Sequence, residues 1–365
     1  MKGELVYIKL YEVGRTVDLE KAQQLLSTTR VRFKLKSKKG TPSYVNLPSP
    51  LYFEVESLFP ISQPYITTAT LCCKIYLDGV ISLIARLSFE ATEIEKLHEL
   101  ALTHVSSKFG ESTIEQWLDF HFEAIFELIK TTVEIGIYNL EERQTEDYSI
   151  LCIHDEINDP YEFVQNNKNY FATLLMGEDF CTNLHESQIK DTLKNPFSFA
   201  TKDLVIYDLD RTLIVDPNKD YDDILLIIEL AVYQLLELRV LDEISNQKLE
   251  IVESDLKMIF RKNKTLRNIK KKLKDLLPFH YDLIFILENI ENVSKIIGDY
   301  FLAKQYEHLC NIFELNKWIK SIRDRLDYLE QIFEIAKTEM NEKIMLLLEA
   351  GLAIIFILEF IFFFL

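Results

Sequence analysis

The sequence predicts an α+β N-terminal domain over residues 1–218, a long-helix bundle with a coiled-coil stalk over 219–343, and one C-terminal transmembrane helix over 344–365. Three observations carry this reading. Short alternating segments and turn signals recur as far as Pro217 and then stop. From there on, apolar residues recur at helical spacing. The final stretch, Ile344 to Leu365, holds only two charges, Glu349 and Glu359.

Composition narrows the function classes. The chain has 365 residues, 48% of them hydrophobic, which is enough for two cores and an anchor. A net charge of −17 disfavours a protein that coats nucleic acid or anionic lipid over its whole surface, so any basic site must be local. Five cysteines (Cys72, Cys73, Cys152, Cys181, Cys310) form no CxxC pair and leave one over, as expected in a reducing compartment. The opening stretch MKGELVYIKLYEVGR alternates and carries Glu4 and Glu12, unlike a signal or transit peptide.

In chain order, residues 5–10 alternate as a strand, and Asp18 caps a helix through Leu26. Val31 to Leu35 alternates beside Arg30, Arg32, Lys34, Lys36, Lys38 and Lys39, and a proline-rich segment from Pro42 to Pro64 follows. Leu71–Tyr76 and Val80–Phe89 flank Asp78-Gly79, a strong hairpin signal. Helical periodicity is expected from Glu93 to Ile135, broken near Gly110 and restarted by a capping box of Ser112 with Glu115. Tyr148–His154 reads as a strand, Asn166–Met176 and His185–Lys194 as helices, and Leu204–Asp208 with Thr212–Val215 as a second hairpin.

A long helix is expected from Asp220 to Phe260, another from Phe279 to Tyr306, and a last one from Asn311. In the last, Ile312, Leu315, Ile319, Ile322, Leu326, Leu329, Phe333, Ala336 and Met340 keep 3,4 heptad spacing. Trp318 and Ile332 widen that stripe, which favours packing against neighbouring helices over a free-standing zipper. Neither Pro nor Gly separates the heptads from Ile344, so the helix continues into the apolar end. That end spans about 33 Å at about 1.5 Å per residue, against a bilayer core of about 30 Å. It has no polar face, and its seventeen large apolar side chains outweigh two off-centre acids. Insertion is therefore expected, with the bulk of the chain left in the cytoplasm.

The candidate site residues are of three kinds. Glu349 and Glu359 are acids inside the span, where a carboxyl persists against a cost of up to about 3 kcal/mol. Lys257, Arg261, Lys262, Lys264, Arg267, Lys270, Lys271, Lys272 and Lys274 form a run without acids, either a solvated helix connection or a local ligand for anionic lipid or RNA. Asp208 and Asp210 lie in LVIYDLDRTLIVD. The seven histidines show no metal-ligand spacing, and no Walker loop or GxGxxG occurs, so neither metal nor cofactor is predicted. Long helices before a C-terminal span suggest a CorA-type channel, but a second span and a Gly-Met-Asn motif are missing.

Two resemblances bear on function. The ending GDYFLAKQYEHL…LNKWIKSIRDRLDYLEQIFEIAKTEMNEKIMLLLEAGLAIIFILEFIF resembles the Rmd-type family (required for meiotic nuclear division), whose members close with a helical stalk and a membrane segment holding two Glu, matched here by Glu349 and Glu359. CCKIYLDGVISLIARLS and DDILLIIELAVYQLLELRVLDE are similar to earlier parts of that family, and the specific likeness is confined to the stretch from Gly298 onward. This resemblance implies a membrane-tied scaffold, linked in eukaryotic relatives to organelle translation. LVIYDLDRTLIVD resembles the first motif of the haloacid dehalogenase superfamily, which implies Asp208 as nucleophile attacking phosphorus, Asp210 as general acid and base, and Mg²⁺ to neutralise the site. Arg211 replaces the usual Gly, and the helices after residue 218 leave no room for the parallel sheet that this chemistry needs. The expected function is thus a membrane-anchored scaffold or tether, self-associated through stalk and anchor, with a membrane-bound phosphatase as the alternative.

Overall fold

The computed structural model describes residues 1–26, 30–32, 50–55, 65–90, 94, 104–107, 110–136, 143–178, 182–262, the helical residues 279–281, 283, 284 and 286–288, and 297–364. The chain divides into one compact unit of Met1–Val240 with Glu291–Leu315 and a second of Leu241–Ile290 with Asn316–Leu365.

The first unit is built on strands β1 (Lys2–Glu12), β3 (Arg30–Arg32), β4 (Leu51–Glu54), β5 (Ile66–Ile75), β6 (Val80–Glu90), β10 (Thr145–Ile153), β11 (Leu204–Tyr207) and β12 (Arg211–Val215). They form one mixed sheet in the order β11-β12-β10-β1-β6-β5-β4-β3, with β10 and β12 parallel and every other neighbour antiparallel. Strands β2 (Thr16–Val17) and β9 (Val133–Glu134) pair separately, as do β7 (His104–Ser107) and β8 (Gly110–Thr113). The helices are α1 (Leu19–Leu25), α2 (Ile114–Ile129), α3 (Pro160–Asn166), α4 (Lys168–Met176), α5 (Glu186–Thr192), α6 (Asp222–Lys262), α7 (Tyr300–Ile312) and α8 (Leu315–Phe364).

Strand β1 is central and buried on both faces. Leu5 and Tyr11 join the core formed with α1 to α5, and Tyr11 stacks on Phe122 of α2 at 3.9 Å. Val6, Ile8 and Leu10, pointing the other way, are equally buried. That second face is covered by the first half of α6 and by α7. Arg239 of α6 pairs with Glu146 of β10 at 2.6 Å, and Tyr207 of β11 donates to Gln305 of α7. Helices therefore lie on both faces of the mixed sheet, where sequence periodicity alone predicted only an α+β grouping.

The hairpin at Asp78-Gly79 forms as expected. Gly79 has φ 82°, and a Cβ there would sit 1.6 Å from the carbonyl oxygen of Gly14, so the site needs glycine on two counts.

Several helix boundaries differ from expectation. His104–Ser107 and Gly110–Thr113 are strands, so the helix expected from Glu93 is replaced there by a hairpin; most of 93–103 lies outside the described residues. The cap moves from Ser112 to Thr113, because Ser112 is paired with Val105 in the hairpin and Thr113 forms the box with Gln116. A helix starts earlier than predicted at Pro160, capped by Asp159, and breaks at Asn167. The expected helix from Phe279 to Tyr306 is interrupted at residues 297–299, where Asp299 caps α7 by accepting from the backbone N–H of Phe301 and Leu302. The last helix begins at Leu315, not Asn311, because Glu314 turns the chain with φ 53°.

In the second unit, Leu241, Ile244 and Val252 of α6 and Phe279, Leu283 and Leu287 are buried. On α8 the buried residues are Ile322, Leu326, Leu329, Ile332 and Ala336. Asp242 of α6 accepts from Arg325 and, at 3.3 Å, from Ser321. Part of the heptad stripe is thus covered inside one chain, while Ile319, Phe333 and Met340 are half-buried. The covered residues form part of a helical bundle within the chain, with Ile332 as the widening residue.

Candidate membrane anchor and polar cluster

Helix α8 runs unbroken for 50 residues, about 75 Å at about 1.5 Å per residue. Its apolar end is long enough to cross a membrane and is 0% buried in the protein, unlike the core helix of a soluble domain. Met345 to Leu348, Leu352, Ile354 to Leu358 and Phe360 to Phe363 are all exposed. Glu349 and Glu359 lie on this segment. No Lys, Arg or His follows Lys343, which pairs with Glu339 at 3.4 Å.

Of the basic run, Lys257, Arg261 and Lys262 fall on the last turns of α6, while Lys264, Arg267, Lys270, Lys271, Lys272 and Lys274 lie outside the described residues.

Asp208 and Asp210 occupy the turn between antiparallel β11 and β12 at the sheet edge. Asp208 Oδ1 accepts from the Leu209 backbone N–H at 2.9 Å, and Tyr148 Oη donates to the Asp208 carbonyl at 2.7 Å. Burial holds the Asp208 carboxyl above its ordinary range. Arg211 turns away to donate to the Leu174 carbonyl at 3.0 Å, closing the end of α4. The haloacid dehalogenase arrangement puts its acids at the end of a parallel strand, where later strands add a Lys and more acids; a hairpin turn has no such neighbours. Among the described residues no group of three His, Cys, Asp or Glu is placed to hold a metal.

The structure also assembles a polar chain that sequence reasoning missed. It lies at the carboxyl ends of β10 and β12, the parallel pair. Tyr221 Oη donates to Glu4 Oε2 at 3.0 Å and lies 2.7 Å from His154 Nε2. A phenol has one hydrogen, so His154 must donate through Nε2, which leaves Nδ1 as the accepting nitrogen of the neutral ring. Glu4 is held by Arg86 through Nε at 3.1 Å and Nη2 at 2.8 Å, and Arg86 Nη1 reaches Asp222 at 3.2 Å. Asp216 accepts from the backbone N–H groups of Asn218 and Asp220, both at 2.8 Å, and fixes the turn in which Lys219 takes φ 59°. Burial, aided by Lys219, lowers the His154 pKa, so the ring is neutral near pH 7. The arrangement orients a proton-accepting nitrogen at a sheet end. Nothing in the sequence ties Glu4, Arg86, His154 and Tyr221 together, because they come from β1, β6, the residue after β10 and the lead into α6.

Farther along α6, Glu229 is fully buried and accepts from Lys74, from Tyr76 Oη at 2.9 Å and from Ser82 Oγ at 2.8 Å. Three donors on β5, β6 and the hairpin between them make this a satisfied structural anchor for α6 rather than a reactive acid.

Comparison with known proteins gives a relative of similar extent, the uncharacterized protein MJ0711 of Methanocaldococcus jannaschii, 29% identical over 282 residues, which are 77% of this chain and 84% of that protein. No solved structure matches significantly. The family model described as uncharacterized protein MJ0711, N-terminal domain, matches residues 2–222, a range that contains Glu4, Arg86, His154, Asp216, Tyr221 and Asp222 and ends at the first residue of α6. The chain belongs to that family.

Proposed function

We propose that this protein is a membrane-anchored tether or scaffold: α8 crosses the bilayer once, and the sheet-based unit is held on the cytoplasmic side. The observation that carries this reading is the fully exposed apolar end of a helix whose earlier turns are buried in a bundle. Such a surface has no favourable place in water: burying it in lipid recovers about 25 cal/mol for each Å² of apolar area. The resemblance of the C-terminal stretch to the Rmd-type family supports the same class and adds organelle-type translation as the process to test. A phosphatase using Asp208 and Asp210 ranks below it, because the acids sit on a hairpin turn.

Fractionation with alkaline carbonate tests the anchor, and protease added to sealed vesicles of known orientation tests the side. The chain should stay with the membrane pellet, and the large unit should be digested only from the cytoplasmic face. Release by carbonate would overturn the anchor; digestion from the opposite face would overturn the orientation. Identification of the proteins and RNA that co-purify with the detergent-solubilised chain tests the scaffold role and its link to translation.

A further inference from the structure

We infer that the transmembrane part of α8 pairs side by side with the same segment of a second copy of this chain, along a seam that contains both Glu349 and Glu359. The inference rests on the membrane reading above. Its starting point is spacing: Met345, Glu349, Leu352, Phe356, Glu359 and Phe363 recur at alternating intervals of four and three, so both acids fall on one heptad stripe. At about 100° per residue this stripe lies about 160° around α8 from Ile322, Leu326, Leu329, Ile332 and Ala336, the residues covered inside the chain. The covered side and the acid side are therefore opposite, and the seam continues a helix whose other face is already occupied.

The acids say what the seam needs. Neither carboxyl has a hydrogen-bond or ion-pair partner among the described residues, and the last cation of the sequence, Lys343, is already paired with Glu339. In lipid an unpartnered carboxyl is costly, and lipid tails offer nothing to bond it. A parallel pair related by a two-fold axis sets each seam residue against its own counterpart. Glu349 then meets Glu349 and Glu359 meets Glu359, a carboxylic acid on one chain donating to the carboxylate of the other, so that a single proton serves two groups that would repel if both were ionised. Met345, Leu352, Phe356 and Phe363 supply the packing between the acids, as interhelical contacts in membranes require.

Cysteine crosslinking of the full chain in membranes decides this. Leu352→Cys, on the seam, should give a disulfide-linked dimer in at least tenfold higher yield than Ile354→Cys, on the far side of the helix, with the parent chain setting the background of the native cysteines. Adding Glu349→Leu and Glu359→Leu to Leu352→Cys should cut the yield at least fivefold, while Glu349→Gln and Glu359→Gln, which still bond across a seam, should keep most of it. Equal crosslinking at the two positions, or undiminished yield in the double Leu variant, would overturn the pairing. Carbonate extraction of the same samples separates this from the reading on which it rests: a chain that stays in the pellet but shows no preference for the seam position refutes the seam alone, and a chain that is released refutes the anchor.

Discussion

Glu12 offers the sharpest quantitative test of the sheet-based unit. It lies at the end of β1, only 4% exposed, with Oε1 unpartnered among the described residues and the Gly14 backbone N–H bonded to its carboxylate. Burial pushes its pKa up from 4.5 to about 7, against the pull of Arg143. The folded protein therefore holds a proton that the unfolded chain releases between those values. This stability is fully present below pH 4.5 and is lost as pH rises through 7. Moving the carboxyl from 4.5 to about 7 amounts to about 3 kcal/mol by pH 8. Glu12→Gln keeps the shape and removes the titration, so the variant should match the parent near pH 4.5 and exceed it by about 3 kcal/mol at pH 8. Glu146, also raised to about 7 by burial despite Arg239, adds a parallel pH dependence, but it is common to both proteins and cancels in the difference. The chain has two tryptophans, and Trp117 is buried in α2, so urea unfolding of the detergent-solubilised protein in a Trp318→Phe background reports this unit by fluorescence. A parent-minus-variant difference that stays flat between pH 5 and 8 would refute the reasoning.

Three further outcomes follow from the same geometry. Asp208→Asn keeps an acceptor for the Leu209 N–H and should change unfolding free energy by less than about 0.5 kcal/mol, and the parent should show no Mg²⁺-dependent phosphomonoester hydrolysis for it to abolish; turnover lost on that substitution would restore the phosphatase reading. Glu229→Ala strips Lys74, Tyr76 and Ser82 of their shared acceptor and should cost about 3–5 kcal/mol in urea unfolding, whereas Glu229→Leu with Lys74→Met should recover most of that; an equally damaged double variant would show that the ion pair is not the cause. Gly79→Ala places a methyl against the Gly14 carbonyl at φ 82° and should lower stability by at least about 1–3 kcal/mol, measured as a reduced thermal midpoint; an unchanged midpoint would mean that the two turns do not meet as described.

Features that depend only on neighbours in the chain were legible before any fold was known. The apolar end of α8, the Asp78-Gly79 hairpin, the β11–β12 hairpin, the cap at Asp18 and the long helix α6 belong to this group, because spacing, turn chemistry and capping act within a few residues. Whatever requires distant residues to meet was settled only by the packed molecule. The stripe from Ile322 to Ala336 carries a heptad pattern whose width favours packing against neighbouring helices, but a heptad pattern does not say which helices those are; Asp242 of α6 beside Arg325 names one of them. The polar chain from His154 through Tyr221 and Glu4 to Arg86 and Asp222 was invisible because its members are scattered along the first unit, Tyr221 and Glu4 lying 217 positions apart, and only sheet order brings them together. Even the cap of α2 moved by one residue, from Ser112 to Thr113, because pairing with Val105 had already claimed Ser112 for a strand. Local signals place elements; long-range pairing decides which polar groups lose water together, and with them where this protein can carry chemistry or a partner.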